Sequence, residues 1–143
     1  MIGLCTLATL ADVTNGELRG DDQTFCSVSA DTRTIQSGDL FVALQGPNFD
    51  GNRYVSEAKQ QGAAAALVSV YQNVDIPQVK VADTLQGLGL IAGYNRQLFN
   101  GKVVAITGSS GKTSVKEMLA ELLSRQGKTL ATAGNLNNHI GAP

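Results

Sequence analysis

Residues 102–127 read KVVAITGSSGKTSVKEMLAELLSRQG, and their pattern predicts the fold class. The run VVAIT is apolar on both faces, which is typical of a parallel strand covered by helices on each side. A turn with two glycines follows, and then a helix is predicted whose apolar residues recur at helical spacing. A strand, a glycine turn and an amphipathic helix in this order indicate a phosphate-binding loop in an α/β protein. The apolar stripe, which we expect to face a core, consists of Val115, Met118, Leu119, Leu122 and Leu123.

The glycine turn has the residue types that hold the phosphates of a nucleotide. Gly108 and Gly111 permit backbone torsions that point successive N–H groups at one anion. Lys112 is expected to bind the β- and γ-phosphates, and the Thr113 hydroxyl to ligate Mg²⁺. The positive end of the helix dipole is directed at the same place. The predicted phosphate-binding residues are Gly108, Ser109, Ser110, Gly111, Lys112, Thr113 and Ser114.

The loop departs from the general phosphate-loop pattern. Ile106 stands where G-x-x-x-x-G-K-[ST] has its first glycine, and a bare G-x-x-G-K-T also suits an ordinary strand–turn–helix connection. A magnesium–nucleotide site usually has a second carboxylate at the end of a neighbouring strand. After Thr113 the only acids are Glu117 and Glu121, both on the predicted helix. We therefore expect the second domain to be incomplete.

Composition narrows the function classes. The chain has 143 residues, 43% of them hydrophobic and 16% charged, with a net charge of −1, as in ordinary globular proteins. This balance offers no basic face for nucleic acid, and no apolar run approaches the roughly 20 residues of a membrane span. Cys5 and Cys26 are too few for a disulfide scaffold and indicate buried thiols in a reducing compartment. These features predict a cytoplasmic protein that binds neither nucleic acid nor membrane. We also expect a monomer.

Predicted strands and helices alternate along the chain, which indicates an α/β architecture. Asp83 is expected to begin a helix and, with it, a second domain, so that the domains are 1–82 and 83–143. The alanine-rich run Ala63–Val70 is a candidate strand, although its four alanines could equally form a helix. The other predicted elements are a helix at Thr6–Val13, strands at Thr24–Ala30, Asp39–Gly46 and after Pro77, and a helix ending at Gly62.

Three stretches together resemble a known family. ITGSSGKTSVKEM and TAGNLNNHIGAP are similar to the Mur ligases, the ATP-dependent enzymes that build the peptidoglycan stem peptide. The block SADTRTIQSGDLFVALQGPNFDGNRYVSEAKQQGAAAALV resembles their uridine-binding N-terminal domain. The resemblance covers the chain from end to end and stops where family members continue.

The resemblance implies a fold and a reaction. Residues 1–82 would bind the UDP-substrate, and residues 83–143 would begin a parallel-sheet ATP-binding domain. ATP would phosphorylate the terminal carboxylate of UDP-MurNAc-tripeptide, and the amine of D-Ala-D-Ala would attack the acyl phosphate. Lys112 would be the catalytic residue, with ATP and Mg²⁺ as cofactors and Thr113 on the metal. We expect the 143-residue chain to bind uridine nucleotide through its first domain but not to catalyse this reaction.

The same resemblance implies substrate contacts. Those in the first domain are Ala30, Thr32, Pro47, Asn48 and Phe49, although a serine often stands at the position of Thr32. Those in the second are Asn135 and Asn138, with Asn137 beside them. For these residues fold maintenance is an equal alternative: Asp31 and Arg33 as a turn-fixing ion pair, Gly38 and Gly46 as turn glycines, the asparagines as loop formers. His139 is expected to be a surface residue.

Two other functions fit part of the sequence. A small kinase or GTPase would share the phosphate loop, but it would also need a base-selecting motif and a second acidic strand end, and neither is visible. A stand-alone nucleotide-binding module would need no further chemistry.

Overall fold

The computed structural model describes residues 5–132 of the chain. The chain divides into two compact units, Met1–Phe99 and Asn100–Pro143. The first unit combines helices with a mainly parallel sheet, which confirms the predicted α/β class. The division falls one helix later than the predicted boundary between residues 82 and 83.

A five-stranded sheet forms the centre of the first unit. The strands of this unit are β1 Cys5–Thr6, β2 Glu17–Arg19, β3 Thr24–Phe25, β4 Ser27–Ser29, β5 Asp39–Val42, β6 Gln45–Gly46, β7 Phe49–Asp50, β8 Ala65–Val68 and β9 Gln78–Lys80. The order in the central sheet is β2-β9-β8-β5-β4. Strands β4, β5, β8 and β9 run parallel, and β2 pairs antiparallel with β9. Two small antiparallel pairs, β1 with β3 and β6 with β7, lie outside this sheet.

The first helix begins and ends at residues with clear capping chemistry. The Thr6 hydroxyl accepts a hydrogen bond from the Thr9 N–H at 3.1 Å, and Asn15 ends the first helix in the left-handed conformation with φ 51°. The predicted helix at 6–13 is thus confirmed within one residue. The helices are α1 Leu7–Thr14, α2 Val55–Gln60, α3 Thr84–Leu98 and α4 Lys112–Ser124, with 3₁₀ turns at Thr32–Thr34 and Gly51–Tyr54.

The central strands bury side chains on both faces of the sheet. Leu40 and Val42 of β5 belong to a cluster with residues of α1 and α3. Phe41 and Ala43 belong to a second cluster with residues of α2. This alternation is the period-two geometry of a strand, and it explains why the predicted strand is apolar without interruption.

Helix α3 belongs to the first unit, which corrects the predicted boundary. Asp83 caps it as expected, because its Oδ1 accepts hydrogen bonds from the N–H groups of Leu85 and Gln86. The Thr84 hydroxyl, however, donates to the Ala43 carbonyl at 2.9 Å, and Ile91 is buried in the first cluster. A capping residue marks where a helix begins, but it carries no information about which core the helix packs on.

The segment predicted as one strand at 24–30 forms two. β3 pairs with β1, and β4 pairs with β5 in the central sheet. Cys26 lies between them, and its N–H donates to the Gly38 carbonyl at 3.3 Å. The alternating pattern was correct for extended backbone, but it could not show a change of partner.

In the second unit, helix α4 begins directly after the glycine turn, as predicted. The predicted strand Val103–Thr107 is not formed within residues 5–132, and Val103 and Val104 are 59% and 60% exposed. Of the predicted core stripe, Val115, Met118 and Leu122 are also exposed. A strand requires a ladder partner and an apolar stripe requires a covering layer, so both predictions fail for the described part of the chain.

Candidate functional site

The predicted phosphate loop forms a continuous turn at the start of α4. Gly108 and Gly111 have φ of +148° and +77°, torsions that disfavour any residue with a Cβ. Gly111 precedes the first helical residue, and its carbonyl accepts the Val115 N–H at 3.0 Å. The loop therefore presents its backbone at a helix N-terminus, where the partial positive charge favours an anion.

Lys112 is the cation of this loop. Its Nζ donates to the Gly108 carbonyl oxygen at 2.6 Å, so the side chain folds back over the turn. The ammonium group therefore lies beside the backbone of the glycine turn. Ser109, Ser110, Thr113 and Ser114 are exposed around it. The seven predicted residues are brought together, as contiguity and the glycine torsions require.

Thr113 is the one residue that was predicted to ligate a metal ion. Among residues 5–132, no group of three or more His, Cys, Asp or Glu side chains is placed to hold a metal ion. Thr113 lies in the first turn of α4, beside Lys112. A hydroxyl oxygen suits Mg²⁺, which uses few protein ligands and keeps several waters, so Thr113 fits a magnesium that is shared with phosphate oxygens.

In the first unit, the predicted substrate residues follow the carboxyl ends of two parallel strands, a side of the sheet called here the carboxyl edge. The parallel strands β4 and β5 both end there, so Ala30 and Thr32 follow one strand while Pro47 and Asn48 follow the other. Ligands of open parallel sheets bind outside the carboxyl ends of the strands. The Thr32 hydroxyl donates to Glu57 Oε1 of α2 at 2.7 Å. The edge therefore groups the predicted residues, and Thr32 also has a structural partner.

Asp31 and Arg33 form the turn-fixing ion pair that was the alternative to substrate contact. The Asp31 carboxylate accepts the Arg33 N–H at 3.0 Å and the Arg33 Nη2 at 2.6 Å. The Arg33 side-chain and backbone hydrogen bonds lower the pKa of Asp31 from 3.8 to about 2. Both side chains are well exposed, so their effect is local: they hold the 3₁₀ turn that carries Thr32.

The pH dependence of this pair is a testable consequence. Because the folded pKa of Asp31 lies below its unfolded value, the carboxylate stabilises the turn above pH 3.8, and this contribution is lost as pH falls through about 2. Arg33→Gln should return the pKa of Asp31 toward 3.8 in an NMR titration of the carboxyl carbon. Arg53→Gln should not, since Arg53 pairs with Asp50 instead. An unchanged pKa of Asp31 in Arg33→Gln would contradict the assignment.

Pro47 and Asn48 form the two-residue turn of the β6–β7 hairpin, in which Gln45 pairs with Asp50. Phe49 follows, and its ring stacks on that of Tyr54 with centroids 5.4 Å apart and planes 15° from parallel. Both rings are exposed. Sequence reasoning missed Tyr54, because no helical or strand period relates positions 49 and 54; the only available signal was a second aromatic close to a predicted contact.

Asn52 anchors the loop that carries these residues. It is 4% exposed, and its Nδ2 donates to Asp50 Oδ1 and to Ser69 Oγ, both at 2.8 Å. Its Oδ1 accepts the Ser69 N–H at 3.2 Å. The loop after β5 is therefore tied to the loop after β8.

The predicted contacts Asn135 and Asn138, with Asn137 and His139, lie outside the described residues.

The chain is similar to proteins of one family in both sequence and structure. Residues 106–143 match the Mur ligase middle domain. The UDP-N-acetylmuramoyl-tripeptide–D-alanyl-D-alanine ligase of Escherichia coli K12 is 53% identical over 96% of this chain, and that of Bacillus subtilis 168 is 36% identical over 96%. The chain spans 30% and 32% of their lengths, so it matches only a part of these relatives.

Solved structures agree with the sequence comparison. A MurF crystal structure from Acinetobacter baumannii has a TM-score of 0.88 and 39% identity, covering 97% of this chain and 31% of that one. MurF ligase from Thermotoga maritima in complex with ADP has a TM-score of 0.68 and 34% identity, covering 80% and 27%. Among the described residues, no helix has the length and apolar character that crossing a membrane requires.

The first unit is of the α/β class, and the second has a glycine loop at a helix N-terminus, a geometry that favours anions. The chain is similar in sequence and in structure to Mur ligases over a part of their length. The relatives described above are all ligases for D-alanyl-D-alanine or structures named MurF.

Proposed function

We propose that this chain is the N-terminal part of an ATP-dependent ligase that adds D-Ala-D-Ala to UDP-MurNAc-tripeptide. The observation that carries the proposal is the loop Gly108–Ser114, with Lys112 folded over it, in a segment that matches the Mur ligase middle domain. The names of the relatives support the substrates, and the ADP complex of the Thermotoga maritima relative supports the nucleotide. Because cellular ATP is cytoplasmic, we assign the reaction to the cytoplasm.

The proposed reaction needs two anions to approach each other. A carboxylate oxygen of the tripeptide attacks the γ-phosphorus of ATP and ADP leaves; the amine of D-Ala-D-Ala then attacks the acyl carbon and phosphate leaves. Repulsion between carboxylate and γ-phosphate opposes the first step, and positive charge fixed in advance lowers that barrier. Lys112 and the N-terminus of α4 supply such charge from this chain.

The two units contribute differently to this chemistry. In the second, the loop N–H groups and Lys112 hold and orient the phosphates, and Thr113 would hold a magnesium ion, which supplies further neutralisation of the phosphate charge. In the first, the carboxyl edge with Ala30, Thr32 and the 47–49 turn would hold the UDP-sugar. Asn135 and Asn138 are proposed to contact substrate on the strength of the family resemblance alone.

The proposal predicts binding without turnover for the 143-residue chain. Purified chain should bind UDP-MurNAc-tripeptide in isothermal titration calorimetry, and should release no phosphate when ATP, Mg²⁺ and D-Ala-D-Ala are added. The physical reason is that among residues 5–132 no group of three or more His, Cys, Asp or Glu side chains is placed to complete a metal site. The Escherichia coli relative serves as the positive control in the same phosphate assay.

Two results would contradict this prediction in different ways. Reproducible turnover by the pure chain would show that no further catalytic groups are needed. Absence of UDP-MurNAc-tripeptide binding, with the chain folded by circular dichroism, would refute the substrate assignment. Binding of ATP without any binding of UDP-MurNAc-tripeptide would instead favour a stand-alone nucleotide-binding module.

A further inference from the structure

The sequence contains two Asn-Gly pairs, Asn15–Gly16 and Asn100–Gly101. In such a pair the backbone nitrogen of the glycine can attack the side-chain amide carbon of the asparagine, because glycine has no Cβ to block the approach and its torsions are free. Both reacting groups belong to the same short stretch of chain, so no second reactant has to arrive. Whether the fold permits the reaction depends on how firmly each glycine nitrogen is held.

The fold protects the pair Asn15–Gly16. Asn15 is exposed, but its backbone is held in the left-handed conformation at φ 51° as the C-cap of α1. The Gly16 N–H donates to the Ala11 carbonyl at 2.8 Å, and a Cβ placed on Gly16 would lie 2.8 Å from the Val79 side chain of β9. The nitrogen that would attack is therefore bonded to the helix end and packed against the sheet. This segment has to open locally before it can react.

The pair Asn100–Gly101 has no such protection. Both residues are exposed, and they follow the C-terminal end of α3. The Phe99 carbonyl just before them accepts a hydrogen bond from Arg96 Nη1 at 3.0 Å. Within residues 5–132, however, neither the Gly101 N–H nor the Asn100 side chain makes a hydrogen bond. The glycine nitrogen and the asparagine side chain are thus free to approach each other without breaking any contact of the fold.

We propose that Asn100 is a site of spontaneous deamidation and isoaspartate formation, at the residue with which the second unit begins. The Gly101 nitrogen gives its proton to water and attacks Asn100 Cγ. The new C–N bond closes a succinimide ring, and the Cγ–Nδ2 bond breaks to release ammonia. Water then opens the ring at either carbonyl, which gives aspartate or isoaspartate. Both products place a negative charge where the asparagine was neutral, and isoaspartate also adds one carbon to the main chain.

Incubation of the folded 143-residue chain at mildly alkaline pH, followed by trypsin digestion and mass spectrometry, tests this site. The tryptic peptides 1–19 and 97–102 report on the two pairs separately. Asn100 should be converted at least about tenfold faster than Asn15, the factor that corresponds to breaking one hydrogen bond of about 1.4 kcal/mol at Gly16. In concentrated urea this difference should disappear, because both pairs are then equally solvated. The experiment is independent of the proposed function, since it needs no substrate.

One variant tests the chemistry itself. Gly101→Pro has no N–H at the attacking nitrogen, so it should lose the conversion at Asn100 while Asn15 reacts as slowly as in the wild type. Circular dichroism checks that this variant is folded. Equal rates for the two pairs in the native chain, or conversion of Asn100 that persists in Gly101→Pro, would overturn the proposal. Protection of Asn100 in the native chain, with reaction at both pairs in urea, would overturn it as well.

Discussion

Replacing Lys112 with alanine should weaken ATP binding about 100-fold in the full-length ligase of the proposed function. The ammonium lies 2.6 Å from the Gly108 carbonyl, over the turn where the phosphates are proposed to bind. Its removal deletes a charge-assisted hydrogen bond to the β/γ-phosphates, and the helix N-terminus alone remains to offset their charge. Calorimetric titration with ATP and Mg²⁺ measures the change directly.

The same experiment tests whether the two proposed sites are separate. Lys112→Ala should leave the affinity for UDP-MurNAc-tripeptide within about twofold, because that ligand is assigned to the other unit. Lys128→Ala, which removes one exposed positive charge from the same unit as Lys112, is the control for non-specific electrostatics. Loss of both affinities in Lys112→Ala would refute the two-unit assignment, and unchanged ATP affinity would refute the phosphate loop.

Replacing Gly51 with alanine should lower the free energy of unfolding of the first unit by about 3 kcal/mol, near the upper end of overpacking effects. A Cβ at this position would lie 2.5 Å from the Leu44 oxygen and 2.7 Å from two further backbone atoms of Ala43 and Leu44. Backbone atoms cannot rotate away as a side chain can, so the loop has to move. Urea denaturation of the chain gives the free-energy change.

Gly46→Ala is the matched control for this substitution. Gly46 lies in the same loop region, yet a Cβ there would meet no atom within 4 Å. Its replacement should change the free energy of unfolding by less than about 0.5 kcal/mol. The displaced loop in Gly51→Ala should also weaken binding of UDP-MurNAc-tripeptide, since Asn52 and Phe49 move with it. Equal stability of the two alanine variants would show that the close approach at Gly51 is not present in solution.

Local signals were sufficient for most of the secondary structure. The capping residue Asp83 placed a helix start correctly, and the apolar run from Asp39 placed β5. The sequence did not show which distant strands each strand pairs with, or on which core each helix packs. The run at 24–30 gave no sign that its two halves pair with different strands, and the helix after Asp83 gave no sign of the core that buries Ile91.

The residues of the candidate sites likewise divide into those that local sequence predicts and those that only the fold brings together. The phosphate loop was predictable from the chain because its function depends on contiguous backbone: glycine torsions, a helix start and one lysine. The residues of the first unit come from separate segments, so composition and spacing could not assemble them. Tyr54 and the Asn52 anchor in particular emerge only from tertiary contacts. The substrate contacts of this unit remain predictions that binding experiments have to test.

The edge strand β2 has a consequence for how the first unit folds. In the central sheet every other pairing joins strands that follow one another along the chain, whereas Glu17 of the first strand pairs with Lys80 of the last. Closing so long a loop demands the largest sacrifice of chain entropy in the sheet. The Glu17–Lys80 ion pair at 2.9 Å and the bond from the Tyr71 hydroxyl to the Glu17 carbonyl at 2.8 Å both fall on this seam. Side-chain contacts therefore reinforce the pairing of β2 with β9, the strand pair whose formation closes the longest loop in the sheet.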